Sequence, residues 1–586
     1  MKMHMFNINW GHHRWAVFFC AISSLGALCY GYDQIYYTGV LGMKRFVHDY
    51  GTTHDKDGNI ALTTTFLSLT ASIIYVGELV GALLSAPIND FFGRKGVFLC
   101  ASACIIAGAI TQCADQGSMG VICLGRILIG LGIGQFTVTC LLYIGEVAPQ
   151  AIRGPALMMF QFMQSCSQLV GSGITQGTES IGSTASYRIP MGLLALLPLL
   201  MLVGLIFLPE SPVWYIRRGR PEKATKALLK INRSMPEYTP EKDLAAFTTM
   251  VETERIREAT SSWMSLLKDR VERRKLIYSC GAMVAQQING IQFFYSYGVV
   301  FAQSIGIKQA FTISLITNTL QVIAVGVSVL LGNKVRRRSN LLVTTIMMLL
   351  AYIIIGGLGA GPYTKTSFST TIVVISYIVI VAFNFGHGPL AFTIASEMAV
   401  GRNRNKIMSA SIVSFFFTVW VIAFTSPYIY YNGGLGPMLG FVYAGTTCIT
   451  LAYVWFCVGE TTGRSHLEIE LFFQKHVPVR RWRQHKFATL DIVRQEEEDN
   501  ASHAIAEEIQ QARHEGRITQ LLSEKNIVEP PTEEELAGPG RSAVVALKTG
   551  DWRDVRWGSK NAPFSPRDRA LGLICTFTVH GMTESM

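Results

Sequence analysis

Residues 146 to 153 read Glu146-Val147-Ala148-Pro149-Gln150-Ala151-Ile152-Arg153, and 251 positions further on residues 397 to 404 read Glu397-Met398-Ala399-Val400-Gly401-Arg402-Asn403-Arg404. In each stretch an acid and an arginine stand seven apart, just after a long apolar run. The flanking marks recur at nearly the same offset. Gly93-Arg94-Lys95 is matched 243 positions later by Arg336-Arg337-Arg338, and Glu210 is matched 250 positions later by Glu460. One unit has been written twice. Repeated membrane-embedded halves are the plan of transporters in which two bundles rock around a midplane site, whereas a receptor or a membrane enzyme requires no such duplication.

Composition places these repeats in a bilayer. The chain has 586 residues, 49% of them hydrophobic and only 16% charged, with a mean hydropathy of +0.31; a soluble chain carries about 25% charged residues. Hydropathy and loop signals predict spans at about 15 to 40, 62 to 87, 97 to 114, 119 to 144, 155 to 178 and 189 to 208. A second six follow at about 276 to 303, 310 to 332, 340 to 360, 370 to 396, 407 to 431 and 436 to 458. Segments of this length cross a hydrocarbon core of roughly 30 Å as helices. The expected fold is therefore an all-α membrane protein with twelve transmembrane helices in two six-helix halves. Its parts are a cytoplasmic N-terminus (1–14), an N-terminal six-helix bundle (15–208) and a cytoplasmic helical loop (209–275), then a C-terminal six-helix bundle (276–458) and a largely disordered cytoplasmic tail (459–586).

Charge fixes the expected orientation. Although the net charge is +11, the basic residues fall in short gaps between apolar runs rather than in one domain, which excludes nucleic-acid binding. Arg94, Lys95, Arg153, the stretch from Arg217 to Lys275, Arg336 to Arg338 and Arg402 to Lys406 share one side. The positive-inside rule puts that side, with both termini, in the cytoplasm. The sequons at Asn232 and Asn500 fall there too, so neither reads as glycosylated. Met1 to Arg14 lacks a signal-peptide layout, so the first apolar segment is expected to stay in the membrane. Eleven of the twelve cysteines lie in or beside apolar runs and none forms a paired CxxC motif; they read as packing residues, with no metal and no cofactor.

Further motifs appear in a fixed order: Gly31-Tyr32-Asp33, Asp90 with Gly93-Arg94-Lys95, Gly125-Arg126 with Gly130, and Glu146 to Arg153-Gly154. Pro209-Glu210-Ser211-Pro212, Gln286-Gln287 with Gly290, Gly388-Pro389, Glu397 to Arg404 and Gly459-Glu460-Thr461-Thr462-Gly463-Arg464 complete the set. With these residues the chain resembles the sugar porter family of the major facilitator superfamily, most closely its fungal members, from about Gly31 to Phe473. The resemblance implies a secondary active transporter, not an enzyme, that works as a monomer in the plasma membrane.

Physical reasons accompany most of the motifs. Asp90, Arg94, Glu146, Arg153, Glu210, Glu397, Arg404 and Glu460 sit at expected cytoplasmic helix ends, where ion pairs between helices would form a gate. Asp33 stands inside an expected span, at a cost of about 2.5–3.5 kcal/mol on insertion scales, and such an acid usually faces a polar cavity with a partner. Arg126 is the natural partner, and protonation of the aspartate would release it. By resemblance, proton-coupled members carry an acid here and uniporters a neutral amide, which favours proton symport over uniport.

Uncharged amides supply donors and acceptors together, as sugar hydroxyls require. Gln161, Gln164 and Gln168 share one helical face, and Gln286, Gln287, Gln292 and Asn318 add further amides. The resemblance places Gln161, Gln286, Gln287 and Asn318 at sugar-contact positions; for Gln164 and Gln168 interhelical hydrogen bonding is the competing reading. Several residues depart from the family pattern. Gln292 stands where a shorter amide is usual, Phe392 replaces a tryptophan, Phe415-Phe416 replaces an Asn-Trp pair, and Asn333 and Arg336 replace an acid and a glycine. A hexose is the expected substrate, with a disaccharide or polyol as the alternative and a sugar sensor signalling through the tail as the rival class. Val493 to Leu522 is compatible with an amphipathic helix.

Overall fold

The computed structural model describes residues 12–54, 58–235, 238–331, 335–485 and 487. The expectations for Asn333, for the helix over 493–522 and for disorder in the distal tail lie outside them. The main helices are α1 (Arg14–Ser23), α2 (Leu25–Gly42), α3 (Lys44–Tyr50), α4 (Thr64–Ala114), α5 (Met119–Val147), α6 (Gln150–Thr178), α7 (Ala185–Leu193) and α8 (Leu196–Phe207). Between the repeats come α9 (Pro212–Arg217), α10 (Pro221–Ile231), α11 (Glu241–Thr260) and α12 (Trp263–Lys268). Then follow α13 (Arg270–Ile288), α14 (Ile291–Ser304), α15 (Ala310–Leu331), α16 (Arg337–Gly359), α17 (Thr366–Phe385), α18 (His387–Met398), α19 (Arg404–Pro427), α20 (Leu439–Cys457) and α21 (His466–Gln474). A two-residue antiparallel pairing, Thr53–His54 with Ile60–Ala61, is the one small sheet among the described residues.

Among the described residues, nine helical stretches are long and apolar enough to cross a membrane. Thr64–Ala114, one of the nine, runs 51 residues, about 76 Å at 1.5 Å per residue and more than twice a hydrocarbon core. It covers two expected spans, and Gly93 interrupts it with φ 80° and ψ −178°. Two other expected spans fall outside the nine for local reasons. Glutamines recur along α6, and the seventh is split into α13 and α14 at Asn289-Gly290.

The chain divides into two compact units. The first, Met1–Thr248 with Cys280–Ala395 and Ser411–Thr462, holds the membrane-spanning helices. Within it α4 and α5 meet backbone to backbone. A Cβ on Gly77, Gly81, Gly130 or Gly134 would lie 2.1 to 2.6 Å from a carbonyl oxygen of the facing helix, so only glycine fits at the seam. Hydrogen bonds joining the two repeats include several at the ends of α2, α6, α14 and α19 and the starts of α4 and α15, with others deeper in the helices. Gln303 Nε2 donates to the Gly42 carbonyl at 2.9 Å, Tyr297 donates to the Leu67 carbonyl at 3.4 Å, Gln176 donates to Thr312 at 3.1 Å, and Ser68 donates to the Phe424 carbonyl.

The second unit comprises Thr249–Ser279, Ser396–Ala410 and the chain from Gly463. Leu266, Ala399 and Ile407 form its apolar centre. Lys275, fully buried, reaches Glu272 at 2.7 Å and Glu470 at 2.6 Å, while Asn403 bonds Glu272 and Ser265. A capping box between Ser465 and Glu468 starts α21. Trp482, buried, then stacks on Phe472 with ring centroids 4.7 Å apart. In the described start of the tail these aromatic side chains bury one another.

Candidate functional site

The buried acid comes first because its burial demands compensation. Asp33 on α2 and Arg126 on α5 are 1% and 3% exposed, and Arg126 Nη1 lies 3.0 Å from Asp33 Oδ1. The guanidinium also donates through Nε to the Thr70 carbonyl at 3.2 Å and stands 4.2 Å above the Tyr37 ring. Every element of the pair is thus held by a neighbouring helix. Removing one partner of such a buried pair costs about 3–5 kcal/mol, because the other charge is left uncompensated.

The amides fall into two groups. Gln164 and Gln168 both donate to Gln34 Oε1, at 3.2 and 2.7 Å, and Gln168 Oε1 accepts from Gln321 Nε2 of α15. For these two glutamines the interhelical reading describes the geometry. Gln286, Gln287 and Asn318 differ, since each is buried and keeps a carbonyl oxygen without a partner. Gln286 Nε2 donates to the His387 and Gly388 carbonyls at 3.2 and 2.9 Å, and Asn318 Nδ2 donates to the Ser314 carbonyl at 2.8 Å. Gln292 Nε2 bonds the Tyr75 hydroxyl at 2.5 Å and Ser296 at 2.9 Å, tying α14 to α4. Gln161 is half-buried, and Phe392 is 38% exposed with its ring 5.3 Å from Phe415.

Breaks in two helices position the second group. At Asn289-Gly290 the chain turns with φ 81° at Gly290, where a Cβ would collide with the Tyr443 ring at 2.3 Å. Asn289 bridges the break, donating to the Gln286 carbonyl at 3.0 Å and accepting from Ile291 N at 3.1 Å. Pro389 lacks an N–H, so the Phe385 carbonyl one turn back is left for Ser328 and Asn340, both at 3.2 Å. Irregular backbone at membrane depth is tolerated where it is buried in protein or lines a cavity.

The residues expected at helix ends come together in part. Arg94 grips Glu146 with both arms, Nε at 2.9 Å and Nη2 at 2.6 Å. Glu210 accepts the backbone N–H groups of Arg94, Lys95 and Ser211 at 3.0, 3.1 and 2.8 Å. Burial raises the Glu210 carboxyl above its ordinary range, and these three donors partly offset the rise. Arg153 donates to the Ala148 carbonyl at 3.2 Å rather than to an acid, and Asp90 is exposed, its backbone carbonyl receiving Trp214 and Arg218. In the second repeat Glu460 accepts the Arg337 N–H at 3.2 Å. Glu397 and Arg404 belong to the second unit.

Three residues of this site were not singled out from the sequence. Gln34 directly follows Asp33 and accepts from two glutamines, and Gln321 lies one turn beyond Asn318. Glu78, on α4 between Gly77 and Gly81, is 1% exposed with neither carboxyl oxygen bonded. An acid inside an apolar run was itself the available signal. Asp33 is thus not alone among buried acids inside the expected spans.

A family model described as "Sugar (and other) transporter" matches residues 19–473. The chain belongs to that family. Members of the sugar transporter family move solutes and are not enzymes. Over 471 residues this one is 26% identical to the low-affinity glucose transporter HXT3 of Saccharomyces cerevisiae, covering 78% of this chain and 82% of HXT3. It is also 26% identical over 465 residues to the high glucose sensor RGT2 of the same yeast, covering 77% of this chain and 60% of RGT2. Among solved structures, the proton:xylose symporter XylE bound to 6-bromo-6-deoxy-D-glucose aligns with a TM-score of 0.63 at 17% identity, over 79% of this chain and 100% of that one. That likeness is one of fold, the all-α multi-pass architecture of the major facilitator superfamily.

Proposed function

We propose that this sugar transporter family member imports a sugar, a hexose in the first instance, across the plasma membrane by proton symport, as a monomer with both termini in the cytoplasm. The observation that carries the reading is the buried Asp33–Arg126 pair at 3.0 Å. A neutral amide would have met a structural need for a hydrogen bond at lower cost, whereas a carboxylate adds a group that protonation can discharge. Unpartnered oxygens on Gln286, Gln287 and Asn318 support a substrate rich in hydroxyl donors.

External protonation of Asp33 frees Arg126, and sugar hydroxyls donate to the three amide oxygens between the repeats. The ends of α2, α4, α14 and α19 close over the substrate through bonds such as Gln303 to Gly42. Helix-end contacts of the Arg94–Glu146 and Glu210 type then part, and sugar and proton leave on the other side. Radiolabelled uptake in a yeast lacking its own transporters tests the scheme. Asp33→Asn is expected to lose accumulation against a gradient, and full accumulation by that variant refutes symport.

The likeness to RGT2 favours a second reading, a sensor that signals through the tail. Deleting the residues after Phe473 separates the two, since a transporter keeps uptake while a sensor loses signalling. Gln292 and Phe392 support a disaccharide or polyol as the alternative substrate, which a competition panel decides.

A further inference from the structure

Glu78 has no part in the scheme above, yet it is a more demanding buried acid than Asp33. Asp33 has a guanidinium; Glu78 has neither oxygen bonded and is 1% exposed. An isolated carboxylate in such a place is far more costly than the neutral acid. Its ionisable neighbours come from three helices: Asp33 and Tyr30 on α2, Arg126 on α5, and Tyr75 on its own helix. Of the other elements packed on α4, α8 has no ionisable side chain, Tyr428–Asn432 brings only tyrosines, and α7 brings Tyr187 and Arg188, whose guanidinium donates to the Asp115 carbonyl beyond the far end of α4. One fixed cation therefore serves two acids.

Depth orders the two. Asp33 precedes the end of α2 at Gly42 by nine residues, and Glu78 follows the start of α4 at Thr64 by fourteen. Those two ends lie on the same side, joined by the short connection through α3, and at a rise of about 1.5 Å per residue the acids sit roughly 14 and 21 Å from them. On the proposed topology Glu78 is the acid nearer the cytoplasm.

We propose that Glu78 is a second proton-carrying carboxyl that shares Arg126 with Asp33, the proton entering the chain at Asp33 and leaving it at Glu78. The proposal rests on the symport reading. In the resting arrangement Asp33 is ionised against Arg126 and Glu78 holds a proton. A proton from outside forms an O–H bond on Asp33, leaving Arg126 without a counter-ion. Glu78 then breaks its own O–H bond, gives that proton to the inner side and becomes the counter-ion. Transfer of the Asp33 proton to Glu78 restores the start. One proton has crossed, Arg126 has kept its own throughout, and the three groups regain their initial charge.

The test uses the full chain in transporter-deficient yeast and a sugar that wild type accumulates, chosen from D-glucose, D-xylose, maltose and sorbitol. Sugar-evoked alkalinisation of an unbuffered suspension is read beside radiolabelled uptake. Glu78→Gln is expected to lower the protons taken up per sugar by at least about tenfold, in keeping with loss of one positioned proton-transfer group. Wild-type coupling and an unaltered pH profile in that variant overturn the proposal while leaving symport intact. Absence of alkalinisation in wild type overturns the symport reading, and this proposal with it. If Glu78→Gln does not reach the membrane, Glu78→Asp decides. It keeps the acid one methylene shorter, so restored coupling with a shifted pH midpoint is expected, and an unshifted midpoint counts against the relay.

Discussion

Replacing Gly93 by alanine tests whether the junction between the second and third expected spans is held as the structure describes. Gly93 has φ 80° and ψ −178°, a region that side chains other than hydrogen essentially do not occupy; forcing a residue there costs about 1–3 kcal/mol. The added Cβ would also stand 2.5 Å from Glu210 Oε2 and 2.8 Å from its Cδ, so the carboxylate must move. Moving it breaks its bonds from Arg94 N and Lys95 N, at 3.0 and 3.1 Å. Each is a hydrogen bond to a charged group, worth about 1.5–3 kcal/mol. The lower ends of these ranges already sum to about 4 kcal/mol, a large share of the stability of an ordinary domain. Heating the detergent-purified protein and following its monomer peak by fluorescence size-exclusion reads the effect. Gly145→Ala is the control, because a Cβ at that helical glycine meets nothing within 4 Å; there alanine should be neutral or slightly stabilising. Glu210→Ala in the Gly93→Ala background removes the collision but not the backbone cost, so the double variant should lose less than the sum of the singles. Equal melting of Gly93→Ala, Gly145→Ala and wild type would refute the reasoning.

Other expectations can be checked in parallel. Gln286→Ala and Asn318→Ala should each raise the KM for uptake by about three- to tenfold, the worth of one neutral hydrogen bond, with maximal rate less affected; an unchanged KM removes that residue from the sugar site. Gly134→Ala should lower the yield of folded protein, because its Cβ would lie 2.1 Å from the Glu78 carbonyl oxygen. Burial pushes the Lys275 ammonium down, but Glu470 and Glu272 outweigh it and hold it above its ordinary value. That stabilisation is fully present below the unfolded lysine pKa, about 10.4, and is lost as pH rises through the folded one. Lys275→Met removes the cation that bonds both acids and leaves them only Arg402, which faces both, so a loss of up to about 3–5 kcal/mol is expected. Burial already raises Glu470, so the deficit should be small in acid, where that carboxyl is protonated, and grow as pH rises through its folded value. A deficit independent of pH in thermal scans would contradict this.

What the sequence disclosed and what it concealed have separable physical causes. The repeat was legible because ion pairs at helix ends leave charges at fixed offsets, as at Glu146 and Glu397. Asp33 and Arg126 were legible as a pair because both stand out in apolar runs. Glu78 stands out in the same way and was passed over, since no motif surrounds it and no partner answers it. Gln164 and Gln168 look alike in sequence to Gln286 and Gln287; whether an amide oxygen is left without a donor depends on what lies opposite it, and Gln286 bonds a neighbouring segment through its nitrogen alone. Likewise the division of labour around Arg94, with Glu146 taken by the side chain and Glu210 by the backbone, depends on the chain reversal at Gly93. Order in the proximal tail rests on Trp482 finding Phe472 ten residues earlier, a contact with no periodicity to announce it.

The glycine seam between α4 and α5 turns two helices into one stiff beam. Glu78 lies at the seam, Arg126 one turn before it on α5, and Arg94 and Glu146 near the other end. A seam without side chains leaves no gap for one helix to slide along the other, so α4 up to Gly93 and α5 move as one body, and any substitution at the four glycines forces the helices apart along their whole contact.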